Sequence, residues 1–304
     1  MRGRFAPSPS GDLHLGGART ALVAWLQVRA AGGAFVLRVE DLDQPRTVPG
    51  AEARILEDLR WLGLDWDDGP YRQSERMARY DDAIARLLSA GQAFECFCSR
   101  AEVQRASRAP HGPADDGPRY PGTCRDLDRA QADERRRTRS PSVRLRVEPG
   151  VRVWTDGVHG ERSDDVAAAV GDFVLRRADG IPAYQLAVVV DDAAMHISDV
   201  VRGDDLLSST ARQLLLYDAL GLAAPRFAHV PLVLGPDGAR LSKRHGDIGV
   251  RVLRDRGTSA GHALSRLATT LGLCTPDERP TARELIARFS LGALPKRSTT
   301  LHVL

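Results

Sequence analysis

Three groups of residues in this 304-residue chain have types and spacings suited to chemistry. The first is Gly11-x-Leu13-His14-Leu15-Gly16-Gly17, placed between a short apolar segment and a helical pattern. Glycines in such a turn let the backbone approach a phosphate, and the helix N-terminus behind them offers free N–H groups and partial positive charge. His14 can donate a hydrogen bond to a phosphate oxygen as negative charge shifts. Alone, a glycine-rich turn before a helix is ordinary turn geometry. The second group is Leu241-Ser242-Lys243-Arg244, behind a Gly-Pro-Asp-Gly turn. A lysine on a Gly-flanked loop can swing onto a nucleoside triphosphate and neutralise the departing pyrophosphate. A solvated basic turn is the commonplace meaning of such a tetrapeptide, but both motifs in one α/β chain are far more informative than either. Lys243 also stands out by composition, since only it and Lys296 are lysines among 43 basic residues. Where arginine fills nearly every basic position, a lysine marks a place for a compact point charge rather than a planar fork.

The third group is Cys96-x-Cys98 followed by Tyr120-x-x-x-Cys124, in a stretch rich in Pro, Gly and Asp. Three thiolates in an irregular insertion suit a structural zinc site, where metal ligation replaces a missing core; three unrelated buried thiols are the alternative. A tetrahedral site needs a fourth ligand, and coordination chemistry alone makes His111 the ordinary candidate. Cys274 lies far off in sequence and reads as a core residue.

Composition bounds the rest. A net charge of +3, 42% hydrophobic and 27% charged residues describe an ordinary globular chain and exclude a wholly disordered one. No apolar run approaches the roughly 20 residues of a membrane helix, and the N-terminal MRGRFAPSPSG has no signal-type apolar region. Four cysteines are too few for a disulfide scaffold, which points to the reducing cytoplasm.

The elements that must hold these groups read as α/β. A strand over residues 3–6, the Pro-rich turn 7–11, a helix over 18–31 and a buried strand over 35–39 ending at Glu40 and Asp41 make a βαβ unit and predict a parallel sheet. Helices follow over 49–62 and 75–90. From 96 to 141 the pattern becomes irregular and ends in Arg135, Arg136, Arg137 and Arg139, a run that either touches phosphates or is a solvated face. Strand 143–147 restores the α/β pattern. Residues 186–190 read as a buried strand ending in Asp191-Asp192, and 197–201 as another ending in Arg202-Gly203. A helix over 210–220 is capped by Ser208 or Ser209, a strand spans 230–234, and the tail from Gly246 is helical. This divides the chain into the first half of a catalytic sheet domain (1–95), a zinc-site insertion (96–142), the second half with the lysine loop (143–245) and a helical C-terminal region (246–304).

These residues carry a family resemblance. RFAPSPSGDLHLGGARTAL, RVEDLD, AYQLAVVVDD, VVRGDDLL and HVPLVLGPDGARLSKRHG occur in order over most of residues 2–246. They resemble class I aminoacyl-tRNA synthetases, with HLGG as the HIGH motif and RLSKR as the KMSKS motif, and more narrowly the glutamate-specific branch. Gly17 stands for the second His of HIGH, as is usual in that branch, and Leu241 for the Met of KMSKS. The resemblance implies a Rossmann-type parallel sheet with a zinc-bearing insertion and a short helical stem-contact region. It makes His14 and Lys243 catalytic, and His14, Gly16, Gly17, Ser242 and Lys243 the ATP-binding set with Mg²⁺ held mainly by the phosphates. It lines the glutamate site with Arg4, Ala6, Ser8, Glu40, Tyr184 and Arg202. That set is chemically apt, since glutamate carries two carboxylates for arginine forks and one ammonium for Glu40. Asp191 and Asp192 stay open between a structural strand end and the nucleotide side of the pocket. At the metal site the resemblance favours the Tyr120 phenol over His111, beside Cys96, Cys98 and Cys124.

About sixty residues follow Arg244, too few for the usual anticodon-reading region. Length therefore narrows the resemblance to the short members that activate L-glutamate with ATP and esterify it to queuosine in tRNA(Asp), as a monomer with no membrane partner. The competing expectations are a truncated enzyme charging a tRNA 3′ end, a small-molecule nucleotidyltransferase, and an inactive zinc-bearing RNA-binding paralogue. The arginines and the cysteine insertion weigh against the second, and His14, Glu40 and Lys243 against the third.

Overall fold

The computed structural model describes residues 1–106, 118–235 and 249–300. In chain order the elements are β1 (Arg2–Phe5), α1 (Leu15–Ala30), β2 (Ala34–Val39), α2 (Ala51–Trp61), β3 (Asp68–Arg72), α3 (Met77–Ser89), β4 (Ala93–Cys96), α4 (Arg100–Ala106), α5 (Arg129–Arg136), β5 (Ser142–Leu145), β6 (Arg152–Asp156), β7 (Gly160–Asp164), α6 (Val166–Ala169) and β8 (Val174–Arg176). The second half adds α7 (Tyr184–Ala194), β9 (Asp199–Gly203), α8 (Ser209–Leu220), β10 (Arg226–Val230), β11 (Val233–Leu234), α9 (Val250–Asp255), α10 (Ala260–Thr269), α11 (Ala282–Ile286) and β12 (Thr299–Thr300). The main sheet runs β3-β2-β1-β9-β10-β6-β7, parallel throughout except for the terminal β6–β7 hairpin. The expected α/β class with a parallel sheet is therefore present. A three-stranded antiparallel sheet, β4-β5-β8, stands beside it. No helix among the described residues is long and apolar enough to cross a membrane.

The strand order reverses between β1 and β9, and ligands of open parallel sheets bind where such a reversal opens a crevice at the strand carboxyl ends. Register decides what faces that crevice. Arg4 pairs with Val36, Gly3 with Asp199, and Arg202 with His229. Side chains alternate along a strand, so Arg4, Arg38, Arg202 and His229 all project from one face, covered by α7 and α8. Gly3, Phe35 and Leu37 project from the other, covered by α1. Two apolar clusters match this division: Val36 and Val200 pack with Leu186 and Val189, while Phe35 and Leu37 pack with Leu22, Trp25 and Leu26.

The helix α1 is buried nearly all round and lies so close to the sheet that a Cβ on Gly3 would stand 2.5 Å from Val28 Cγ2. Its start is set by His14, whose side chain caps the first turn.

Several sequence expectations need correction. Residues 186–190 form the middle of helix α7, not a strand. Gln185 through Asp192 are all buried, and an apolar run wrapped on every side has lost the periodicity that distinguishes helix from strand. The strand expected over 230–234 is split, because Pro231 has no N–H for a ladder: β10 ends at Val230, and β11 pairs separately with β12. The insertion holds more regular structure than expected, namely α4 and α5. Ser208 sits at the start of α8 without capping it, and the Ser209 hydroxyl instead accepts from Gln185. Among the described residues from Gly249 on, α9, α10 and α11 are short helices, with Ser259 and Thr281 capping α10 and α11, and β12 adds a two-residue strand.

Replacing Gly3 by Ala should force α1 away from β1 and lower stability by about 1–3 kcal/mol. Urea denaturation of G3A against the wild type measures this, and an unchanged midpoint would contradict the close approach.

Candidate active site

A cleft of about 620 Å³ opens where β1 and β9 end and α1 begins. Its walls bring together Arg4, Ala6, Ser8, Glu40, Tyr184 and Arg202 with His14, Gly16 and Gly17, so these nine expected residues share one site. Ser242 and Lys243 lie outside the described residues, as does His111.

His14 is exposed, and its Nδ1 accepts the Gly17 N–H at 3.0 Å. An Nδ1 that accepts carries no proton, so the neutral ring holds its proton on Nε2. Cβ atoms on Gly16 and Gly17 would come within 3.2 Å of His14 Nδ1 and Leu13 Cδ1 respectively, so larger residues would crowd the His14 ring and Leu13. Two later residues pack directly against it: Gly249 bridges His14, and the Val250 N–H donates to the Leu13 carbonyl at 2.8 Å.

The charged residues are held in two different ways. Arg4 donates through Nε to both oxygens of Asp192, at 3.3 and 3.4 Å, and through NH1 to the Val201 carbonyl at 3.2 Å. Arg38, fully buried behind the cleft, donates to Asp192 at 2.6 Å and to Glu40 at 3.2 Å. Burial works against the Arg38 charge, but Asp192, Glu40 and Asp191 outweigh it and keep the guanidinium ionised. Burial raises the Glu40 pKa, opposed by Arg38 and Arg4. For Asp192 the same burial is overcome by Arg38 and Arg4, which hold its carboxyl below the usual range.

Arg202 is different. Its guanidinium, 4% exposed, donates to His229 Nε2 at 2.9 Å, Gln213 Oε1 at 2.8 Å, Thr210 Oγ1 at 2.9 Å and the Leu206 carbonyl at 3.4 Å. The Tyr184 hydroxyl lies against it. Every one of these partners is neutral, and Arg202 makes no ion pair with any described carboxylate. Burial, uncompensated by an acid in contact, lowers its pKa. Arginine can only donate, so His229 Nε2 accepts from it, and Nδ1–H donates to Asp156 Oδ2 at 2.6 Å. Asp156 is fixed in turn by the backbone N–H groups of Val158 and His159, both at 2.9 Å. A buried charge without a counterion is costly, so this network presents a rigid cation to whatever fills the cleft.

The second cluster lies beside the antiparallel sheet. The sulfurs of Cys96, Cys98 and Cys124 all fall within 4.8 Å of one another, and Cys98 and Cys124 are 3.6 Å apart. The Tyr120 hydroxyl oxygen accepts from Cys96 Sγ at 3.3 Å and from the Cys124 N–H at 2.8 Å, which puts it at the cysteines. Three thiols and a phenol oxygen at these separations fit a tetrahedral metal. Arg135 donates to Cys124 Sγ at 3.3 Å, and Arg144 stacks over the Tyr120 ring at 4.0 Å. Cys274 stands apart, packed against the α1 core as expected.

The family model for class I tRNA synthetases (E and Q), catalytic domain, matches residues 1–290. The glutamyl-Q tRNA(Asp) synthetase of Symbiobacterium thermophilum is 50% identical, over 97% of this chain and 94% of its own length. The chain belongs to the class I tRNA synthetases of the E and Q type, in their glutamyl-Q tRNA(Asp) synthetase branch. Glutamate–tRNA ligase 2 of Halorhodospira halophila is 44% identical over 99% of this chain, which spans only 63% of that enzyme. Among solved structures, a glutamate tRNA ligase from Elizabethkingia meningosepticum in complex with its amino acid superposes with a TM-score of 0.84 at 31% identity. The superposition covers 99% of this chain and 67% of that one.

Against this family background, several site features escape sequence reasoning. Asp156 and His229 are 73 positions apart and mark no motif, yet they fix Arg202. Arg19, one turn into α1, lines the cleft and donates to the Pro231 carbonyl at 2.6 Å and Thr270 Oγ1 at 2.8 Å. Burial lowers its pKa to about 10, against the attraction of Asp204. Asp191 and Asp192, left open above, are both buried and line no part of the cleft: Asp191 accepts from Gln73, Arg76 and Tyr80, and Asp192 from Arg4 and Arg38. In the arginine run, Arg136 pairs with Glu95 and Asp133, Arg137 with Glu134 at 2.9 Å and Arg139 with Glu102 at 2.8 Å. The pairs are exposed, as on a solvated face.

Burial pushes the His229 pKa down from 6.5 to about 4, despite Asp156. As pH falls, the unfolded chain takes up this proton before the folded one, so stability is lost between pH 6.5 and about 4 and is fully present above 6.5. The loss should reach about 3 kcal/mol by the lower limit. Urea unfolding from pH 7 to pH 4.5 should show a slope that His229→Gln flattens; equal slopes would contradict the neutral buried ring.

Proposed function

We propose that this chain activates L-glutamate with ATP to glutamyl-adenylate and transfers the glutamyl group to the queuosine base of tRNA(Asp). The observation that carries the substrate is Arg202, a buried cation held only by neutral groups at the mouth of the sheet's strand reversal. A carboxylate is the counterion it lacks, and Arg4 beside it offers a second donor. Glu40, backed by Arg38, takes the ammonium. Tyr184 and Ser8 add hydroxyls to the wall, and Ala6 leaves room for the side chain.

The chemistry needs no nucleophilic side chain. The α-carboxylate of glutamate attacks the α-phosphorus of ATP, and the bond to pyrophosphate breaks. Positioning and charge stabilisation supply the rate. Gly16 and Gly17 let the nucleotide approach the first turn of α1, and His14 donates from Nε2 to a phosphate oxygen. The family resemblance gives Ser242 and Lys243 the task of neutralising the leaving pyrophosphate, and a Mg²⁺ brought in with ATP would add to that charge stabilisation. In the second step a queuosine hydroxyl attacks the activated carbonyl and AMP leaves. Transfer to queuosine, rather than to a tRNA 3′ end, is supported by the near end-to-end match to the S. thermophilum relative. A tRNA substrate supports a cytoplasmic location.

Cys96, Cys98, Cys124 and the Tyr120 phenol hold a structural zinc, whose role is to close the insertion where apolar burial is small. Metal analysis of the purified protein should return one zinc per chain, lost in Cys98→Ser.

Incubation with glutamate, ATP, Mg²⁺ and queuosine-containing tRNA(Asp), followed by nuclease digestion and mass spectrometry, tests the function. The queuosine nucleoside should gain one glutamyl group while tRNA(Glu) stays uncharged; charging of tRNA(Glu) with unmodified queuosine would overturn the assignment. Lys243→Met should slow glutamate-dependent ATP–pyrophosphate exchange by about a hundredfold or more.

A further inference from the structure

The two residues assigned opposite ends of the substrate, Arg4 and Glu40, do not stand independently in the cleft wall. Arg4 comes from β1, and Glu40 follows β2. Between them the side chains form an unbroken series. Arg4 Nε meets Asp192 Oδ1 at 3.3 Å, Asp192 Oδ1 accepts from Arg38 NH1 at 2.6 Å, and Arg38 NH2 donates to Glu40 Oε1 at 3.2 Å. The two inner members are fully buried. They line no part of the cleft. Asp192 arrives from the last turn of α7, so one helix carboxylate spans both strands.

We propose that Asp192 and Arg38 are positioning residues that lock Arg4 and Glu40 into one charged unit and thereby set affinity for the amino acid. The proposal rests on the reading of the cleft as a glutamate site. Asp192 lies between Arg4 and Arg38 and accepts from both, which offsets the repulsion between two guanidiniums on neighbouring strands. It also orients the Arg4 fork, leaving the shape of its cleft edge defined before substrate arrives. Arg38 does the same for Glu40, whose carboxylate would otherwise lose its charge partner in a dry wall. Preorganisation of this kind appears as affinity, because the ordering is complete before binding. A lysine in place of Arg38 offers no fixed fork and cannot serve Asp192 and Glu40 with the same planar geometry.

The neighbouring residue provides the control. Asp191 is equally buried and equally charged, yet its oxygens serve Gln73 at 3.0 Å, Arg76 at 2.5 Å and Tyr80 at 2.8 Å, on the α3 side. It touches Arg38 only through Nε at 3.8 Å and makes no contact with Arg4 or Glu40. A purely structural role for buried carboxylates in α7 would make the two aspartates equivalent.

The test compares Asp192→Asn, Asp191→Asn and Arg38→Lys in ATP–pyrophosphate exchange, with KM measured separately for glutamate and ATP and melting temperature recorded for each. Asp192→Asn should raise KM for glutamate about tenfold or more while KM for ATP stays within about twofold. Asp191→Asn should lower the melting temperature without moving KM for glutamate. Arg38→Lys should resemble Asp192→Asn and carries the test if that variant does not fold. Unchanged KM for glutamate in both Asp192→Asn and Arg38→Lys, or an equal rise in Asp191→Asn, would overturn the positioning role. Wild-type protein without glutamate-dependent exchange would instead overturn the glutamate site on which the proposal rests.

Discussion

The site depends on how buried positive charge is balanced around the end of β1. Three arginines, Arg4, Arg38 and Arg202, project from the same face of the sheet into a region closed by α7 and α8. Asp192 satisfies two of them. The third is held by histidine, glutamine, threonine and a carbonyl, none of which carries charge. Burying a guanidinium without an acid is unfavourable unless a ligand completes the pairing, so the fold keeps one charge in reserve. The Asp156–His229 pair makes that possible, because a neutral imidazole accepting from Arg202 orients the fork without cancelling its charge.

The architecture explains why this balance arises where it does. A parallel sheet that reverses its order between β1 and β9 leaves their carboxyl ends without a crossing connection. The alternation of side chains then sorts charge to one face and the α1 core to the other. Gly3 lets α1 sit tightly against β1, which aims the HLGG turn at the same opening. The charged wall of the cleft and its glycine-rich turn thus meet at one strand reversal. The chain returns to this point at Gly249 and Val250, where backbone contacts to Leu13 and His14 tie the C-terminal helices to the turn.

Much of this was legible in the residues. The β1–α1–β2 unit declared itself through a glycine-rich turn between an apolar strand and a helical pattern, and the cleft residues Arg4, Glu40, Tyr184 and Arg202 followed from the family resemblance. The Cys96-x-Cys98 and Tyr120-x-x-x-Cys124 spacing likewise led to one cluster. Residues 186–190 were misread because a helix buried on all sides shows no polar stripe, leaving an apolar run that a strand would also give. Pro231 broke a strand that its apolar neighbours suggested. Asp156 and His229 had no local signal at all, since their roles come from strand pairing between distant segments. Asp191 and Asp192 look alike in sequence and differ only in which way α7 turns each carboxylate.

On the proposed function, the unpaired Arg202 makes the cleft select a charged side chain. Glutamate and glutamine differ there by one charge and almost no volume. The direct measurement is kcat/KM for ATP–pyrophosphate exchange with each amino acid in turn. Glutamate should exceed glutamine by about a hundredfold or more, because glutamine leaves the buried guanidinium without a counterion. Comparable rates with the two amino acids would contradict it.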